Sequence, residues 1–204
     1  MRSTEVYREL RRVVAPRMKQ LGFRRAKFGY LGYIRPFAAR EIIVWFQCYG
    51  APWSEWEGSS FCVNICVLRS SDRVDPDDWN QRLWFLLNRC ERQEFVRLTN
   101  RVIAKFDPAS AVALMQELFP RNRELHRAVA RRLSPLKRVP VLMVEQWHRY
   151  YDSEDVRMWG TFVLGSLDRL MPELEDRAKG IDRLKCHISL GSGAGSRSNG
   201  GRAD

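Results

Sequence analysis

The feature that most limits what this chain can become is a change of hydrophobic period within its first third. Apolar residues first recur at helical spacing, at Val6, Leu10, Val13, Val14, Met18 and Leu21, and so write one face of an amphipathic helix. Ser3 or Thr4 stands before it as a cap, Glu5 lies in its first turn, and Gly22 follows where a left-handed residue commonly closes a helix. Pro16 falls inside the pattern, so a kink or local break is expected near Ala15, because the ring removes a backbone donor and crowds the preceding turn. After Gly22 the period drops to two. Residues 28–34, 41–49 and 60–68 are aromatic and β-branched and predict three antiparallel strands.

Alternation then assigns faces. Ile42, Val44, Phe46 and Cys48 form an apolar row, and Ile43, Trp45, Gln47 and Tyr49 a mixed one. In the third strand Phe61, Val63, Ile65 and Val67 share the face expected to meet the first helix, while Cys62, Asn64 and Cys66 share the other. A sheet face carrying Trp45, Gln47 and Asn64 is amphipathic, neither plain core nor plain solvent surface. The loop GAPWSEWEGSS adds Trp53 and Trp56, which are expected to rim that face.

Further along, Asp75 before Pro76 reads as a helix start, with Trp79, Leu83, Leu86, Leu87 and Cys90 as the stripe of that helix. Helical patterns over 95–106, 110–119 and 122–133 complete a helical block over residues 76–133. Residues 139–144 resume a β pattern and predict a fourth strand, which exits through Trp147, His148, Arg149, Tyr150 and Tyr151. That exit either lines a ligand groove or covers the edge of the core with amphipathic rings. Asp152 or Ser153 caps a long helix carrying Val156, Trp159, Phe162, Val163, Leu167, Leu170, Met171 and Leu174 on one face, which Pro172 should bend or end. Residues 181–190 are ambiguous between helix and strand, and 191–204 read as a disordered Gly/Ser-rich tail. The expected architecture is α+β: an antiparallel sheet of about four strands with helices packed on it, the helical block inserted between strands 3 and 4, in one domain over 1–190.

The order of these motifs resembles a known family. LGFRR after a Pro-containing helix, an aromatic strand, IIVWFQ and then FCVNICV resemble the uncharacterised bacterial family catalogued as domain of unknown function 4304, on Pro16, Gly22, Phe23, Gln47, Phe61, Val63 and Asn64. The resemblance covers residues 6–68 and, more loosely, 138–175. It implies an α+β fold with helices on an antiparallel sheet, and it brings no reaction with it, since that family has none established.

Chemistry-bearing patterns are sparse. Five cysteines, Cys48, Cys62, Cys66, Cys90 and Cys186, form no CxxC pair, which suits a reducing compartment. On one strand Cys62 and Cys66 would stand about 13 Å apart, too far to share a zinc ion, so no metal is expected. His126, His148 and His187 lie in different elements without metal-ligand spacing; His126 suits a surface role, and His148 is the one histidine with neighbours that could build an acid/base pocket. The run GSGAGSRSNGG lacks the strand before and helix after that a phosphate-binding loop requires, so no cofactor is expected. No apolar stretch is long enough for a membrane span, and arginines interrupt the N-terminus where a signal peptide would be apolar; a cytoplasmic protein is expected.

A net charge of +11 does favour polyanions, and it is patched. Residues 1–27 hold nine Lys/Arg against two Glu, and 121–138 hold seven against one, leaving the remainder slightly acidic. Arg123, Arg127 and Arg131 stack on one helical face opposite Leu125, Val129 and Leu133. Two readings follow. One is a non-enzymatic binding or protein-interaction module acting through Trp45, Gln47 and Asn64 with Trp53 and Trp56 at the rim and Trp147, His148 and Arg149 nearby. The other is a non-specific nucleic-acid associate acting through the basic patches. An enzyme would need His148, Arg149 and a carboxylate to converge.

Overall fold

The structure, a computed structural model, describes residues 1–27, 30–50, 53–69 and 78–180. Helix α1 (Ser3–Gln20) opens on Arg2, whose N–H donates to the Glu5 carboxylate at 2.6 Å while its carbonyl accepts from the Glu5 N–H. The helix continues through Pro16 without a break, so of the expected kink or local break the second does not occur. Its end is a Schellman motif: Gly22 takes φ +82°, its N–H donates to Lys19 O, and the Phe23 N–H donates to Met18 O. Phe23 and Met18 are both buried, so the closing turn also delivers an apolar contact to the core.

Six strands follow among the described residues: β1 (Arg24–Arg25), β2 (Leu31–Phe37), β3 (Arg40–Cys48), β4 (Ser59–Leu68), β5 (Trp79–Arg82) and β6 (His148–Tyr150). All pairings are antiparallel, in the order β1-β2-β3-β4-β5, with β6 also bonded to β4. The β2–β3 hairpin turns on Ala38 and Ala39 alone, and Ala38 adopts φ +53°, a conformation for which glycine is the usual choice.

Helices α2 (Leu83–Leu86), α3 (Arg89–Ile103), α4 (Pro108–Leu118), α5 (Arg123–Arg132) and α6 (Ser153–Ala178) complete the regular elements of the described residues, with one 3-10 turn before β6. Asp107 and Asn122 accept from the first-turn N–H groups of α4 and α5, and Asp152 does so for α6. Helix α6 runs through Pro172, which neither ends it nor breaks it.

Two parts of the expected topology are corrected. Residues 79–82 belong to β5 and not to a helix, because Trp79 to Arg82 pair with Val67 to Asn64 and cover an edge of β4 that would otherwise present unpaired backbone groups. The expected helix start at Asp75 and Pro76 lies outside the described residues. Residues 139–144 are not the fourth strand. The far edge of β4 is already taken by β5 at 64–67 and by β6 at 59–61, so no partner remains for this β-branched run. Val141 and Leu142 stay exposed, and Glu145 accepts from both their N–H groups as the chain enters a single 3-10 turn at Met143–Gln146. The helices α2 to α5 therefore separate β5 from β6, in place of an insertion between a third and a fourth strand. Residues 181–204, including Cys186, His187 and the Gly/Ser-rich run, lie outside the described residues.

The layers are lopsided. Among the described residues, 28 buried apolar side chains form one cluster that joins α1, α3 and α6 to the face of the sheet carrying Ile42, Val44, Phe46, Phe61, Val63, Ile65 and Val67. Four others, Ala26, Ile34, Ile43 and Cys66, form a small cluster on the opposite face. At roughly 1.5–3 kcal/mol per large buried side chain, the helix side supplies most of the apolar stabilisation. Close approach tightens it: a Cβ on Gly160 of α6 would stand 3.1 Å from Val13 of α1. A satellite cluster of Val102, Ile103, Phe106, Ala111 and Leu133 seats the α4–α5 hairpin at one end.

Candidate functional site

No helix contributes a buried apolar residue to the cluster on the second face of the sheet, among the described residues. That face is built by strand register. Trp45 stands beside Asn64, and Asn64 beside Arg82. One row on, Gln47 pairs with Cys62; beyond it the Tyr49 N–H donates to Ser60 O, and Ser60 pairs with Arg149 of β6. Asn64 is buried and donates through Nδ2 to Cys62 Sγ at 3.6 Å, so it closes the floor of the face. Trp45 and Gln47 are half-buried, and Tyr49 is 45% exposed. Burial pushes the Cys62 thiol pKa up, against a smaller opposing effect of the Arg82 charge, which keeps this sulfur a thiol and a poor nucleophile.

Trp147 lies where β5 and β6 meet end to end along β4. Its ring has Arg82 over it at 5.1 Å and the Tyr49 ring edge-on at 5.3 Å. Arg82, Trp147 and Tyr49 thus make a continuous aromatic and cationic strip across the mixed face. Tyr49 and Arg149 also line a small recess with Ser60, Gly58 and Arg132. Gly58 is required here: it adopts φ +59°, and a Cβ on it would stand 2.1 Å from Tyr150 O.

The three neighbours Trp147, His148 and Arg149 do not form one pocket. Extended backbone sends alternate side chains to opposite faces, so His148 enters the helix side while Trp147 and Arg149 stay on the other. His148 is 2% exposed, stacked on Phe61 at 5.1 Å and edged by Phe95 and Trp159. Nδ1 lies 3.3 Å from Phe61 O, and burial pushes its pKa down to about 3. A neutral imidazole closed inside the core has no access to a substrate. Arg149 donates from Nη1 to Arg132 O at 2.8 Å and lies over the Phe106 ring. The nearby carboxylates, Asp152 and Asp155, are held by Lys105 at 2.8 and 2.6 Å.

Trp53 and Trp56 do not rim the Trp45 face. Trp53 packs against the main core and donates from Nε1 to Tyr151 O at 2.9 Å, and Trp56 packs into the satellite cluster under α4 and α5. Their place is taken by Tyr49, Trp147 and Arg82. Arg82 was hidden in the sequence because WNQR carries too little alternation to separate a short strand from a helical turn.

The basic patches also differ from each other. In α1, buried Glu9 accepts from Arg157 at 3.0 Å and from Arg12 at 3.1 Å, with Arg8 at 3.6 Å, and Arg17 pairs with Asp168. Burial alone would raise the Glu9 pKa, but these guanidinium groups hold it below the usual carboxylate range. On α5, Arg123, Arg127 and Arg131 are exposed and no ion pair joins them among the described residues. Arg132, next in the chain, pairs with Glu57 at 2.9 Å. His126 lies beside Arg123 and Arg127 in an open recess and has Nε2 at 3.0 Å from Phe119 O.

A recess of about 600 Å³ runs between α3 and α6 over Leu98, Met158 and Phe162. The charges at its rim are already matched, Glu94 with Arg97 and Glu91 with Arg169. No group of three or more metal-ligating side chains occurs among the described residues. In comparisons with protein-family models, curated proteins and solved structures, the chain matches none.

Proposed function

We propose that this chain is a non-enzymatic binding module that engages a macromolecular partner through the face of its sheet on which no described helix packs. The observation that carries this reading is the one-sided packing of the described helices. It leaves Trp45, Gln47 and Trp147 half-buried and Tyr49 exposed on the other face, and exposed or half-exposed aromatic rings beside an arginine are the residues that anchor interfaces. The resemblance to the domain of unknown function 4304 family and a cytoplasmic location belong to the same proposal. No described helix is long and apolar enough to cross a membrane.

A second reading, polyanion binding, is favoured by one specific observation: Arg123, Arg127 and Arg131 are exposed and without an ion pair among the described residues. The test of the first reading is capture from native lysate at two salt concentrations, followed by binding of the purified candidate to wild type and to a Trp45→Ala/Tyr49→Ala variant. The expected result is at least a tenfold weaker interaction for the variant with an unchanged circular dichroism spectrum. Equal affinity of the two proteins for every partner found would sink the reading.

A further inference from the structure

We infer that the partner is a single-stranded nucleic acid, with bases stacked on Tyr49 and Trp147 and the backbone led onto α5. The inference rests on the binding-module reading and names the chemistry of its occupant. The observations are spatial. The strip Arg82, Trp147, Tyr49 ends at a recess that Tyr49 shares with Arg149, Arg132 and Glu57, in which Glu57 pairs with Arg132 and leaves the Arg149 charge in excess. Arg132 is the last residue of α5, and Arg149 is tied to its carbonyl. From that junction α5 leads away carrying Arg131, Arg127 and Arg123, which rise about 6 Å apart along the helix. The aromatic strip thus ends at the C-terminal end of the helix that carries three exposed cations without an ion pair among the described residues.

Two physical arguments choose this occupant. Flat rings on a sheet face offer stacking to unpaired bases, which every base can use and a duplex cannot, because its bases are already stacked on one another. An acidic protein segment would satisfy the α5 cations equally well, but its carboxylates gain nothing from the negative faces of the Tyr49 and Trp147 rings. The cations supply salt-dependent attraction to phosphates, and the rings supply preference for single strands.

The experiment is fluorescence anisotropy of a labelled oligothymidylate and an oligouridylate with the full chain, against a duplex of equal length and against polyglutamate, over a series of salt concentrations. Expected are tighter binding of the single strands than of either competitor, and a loss of roughly tenfold in single-strand affinity for Tyr49→Ala and again for Trp147→Ala. Arg123→Ala/Arg127→Ala/Arg131→Ala should lower the slope of log affinity against log salt by about 2 while leaving the stacking preference in place. Tyr49 is exposed, so its variant remains informative even if Trp147→Ala unfolds. The inference is overturned if single strands do not bind at low salt, if duplex or polyglutamate binds as tightly, or if Tyr49→Ala is silent. A purified protein partner that depends on Trp45 and Tyr49, with no oligonucleotide binding, would overturn this inference and leave the binding-module reading standing.

Discussion

His148 shows what burial does to a single side chain. Its ring is packed among Phe61, Phe95 and Trp159, and burial lowers its pKa from 6.5 to about 3. The native state therefore stays unprotonated at this ring where the unfolded chain takes up a proton, so stability falls as the pH drops from about 6.5 towards about 3. At full effect the slope is about 1.4 kcal/mol per pH unit. His148→Phe keeps the stacked ring and removes the titration. Urea unfolding at pH 7 and pH 5 should show a clearly smaller pH difference in the variant than in wild type; an identical difference would mean that His148 is not the group responsible. The sequence offered no means of seeing this, because Trp147, His148 and Arg149 look equivalent until the pleat sends the middle one inward.

At the level of elements, the start of α6 is held by a charge cluster and not by its cap alone. Asp155 is 1% exposed and accepts from Lys105 Nζ at 2.6 Å and from the Tyr151 N–H at 2.9 Å, while its own N–H donates to Asp152. Burial works against the Lys105 charge, but bonds to Asp152 and Asp155 outweigh it and raise the Lys105 pKa. Asp155→Ala strips these donors of their acceptor and leaves a part-buried ammonium with one partner, which should cost roughly 2–4 kcal/mol in chemical denaturation. A loss below about 1 kcal/mol would show that Asp152 and water replace it. Element-level reading of the sequence succeeded where the period was long, as in α1, α3 and α6. It failed at 79–82 and 139–144, where runs of four to six residues fit either state and the free edge of β4 made the decision.

For the whole molecule, the basic composition divides into a compensated part and an open part. Glu9, Glu91 and Asp152 all have pKa values lowered by cationic partners that outweigh the opposing effect of burial, and each pair joins distant segments: Glu9 with Arg157, Glu91 with Arg169, Asp152 with Lys105. A depressed carboxylate pKa contributes stability that is present above the unfolded value of about 4 and is lost as the pH falls through the folded value. Together with His148 this predicts a two-stage acid limb, shallow below about pH 6.5 and steeper below about pH 4. Thermal unfolding midpoints measured from pH 7 to pH 3 should fall on that curve, and a flat profile down to pH 4 would contradict it. Raising the salt concentration should leave the first stage intact, since it arises from burial, and soften the second.

What the sequence determined by itself was local. Periods of 3.6 and 2 placed α1, β3 and β4, sorted their side chains into two faces, and singled out Trp45, Gln47 and Asn64 as a mixed surface and Arg123, Arg127 and Arg131 as one stripe. Those patterns are set by backbone geometry over a few residues, so they survive without knowledge of the partner. Only the tertiary structure decided which face of the sheet the helices cover, which segments complete the edge of β4, and that Trp53 and Trp56 turn towards the core while Arg82 and Trp147 take up the mixed face. Those outcomes depend on contacts between residues far apart in the chain, where one available edge and one sheet face are contested by several segments, and sequence period carries no record of which segment wins.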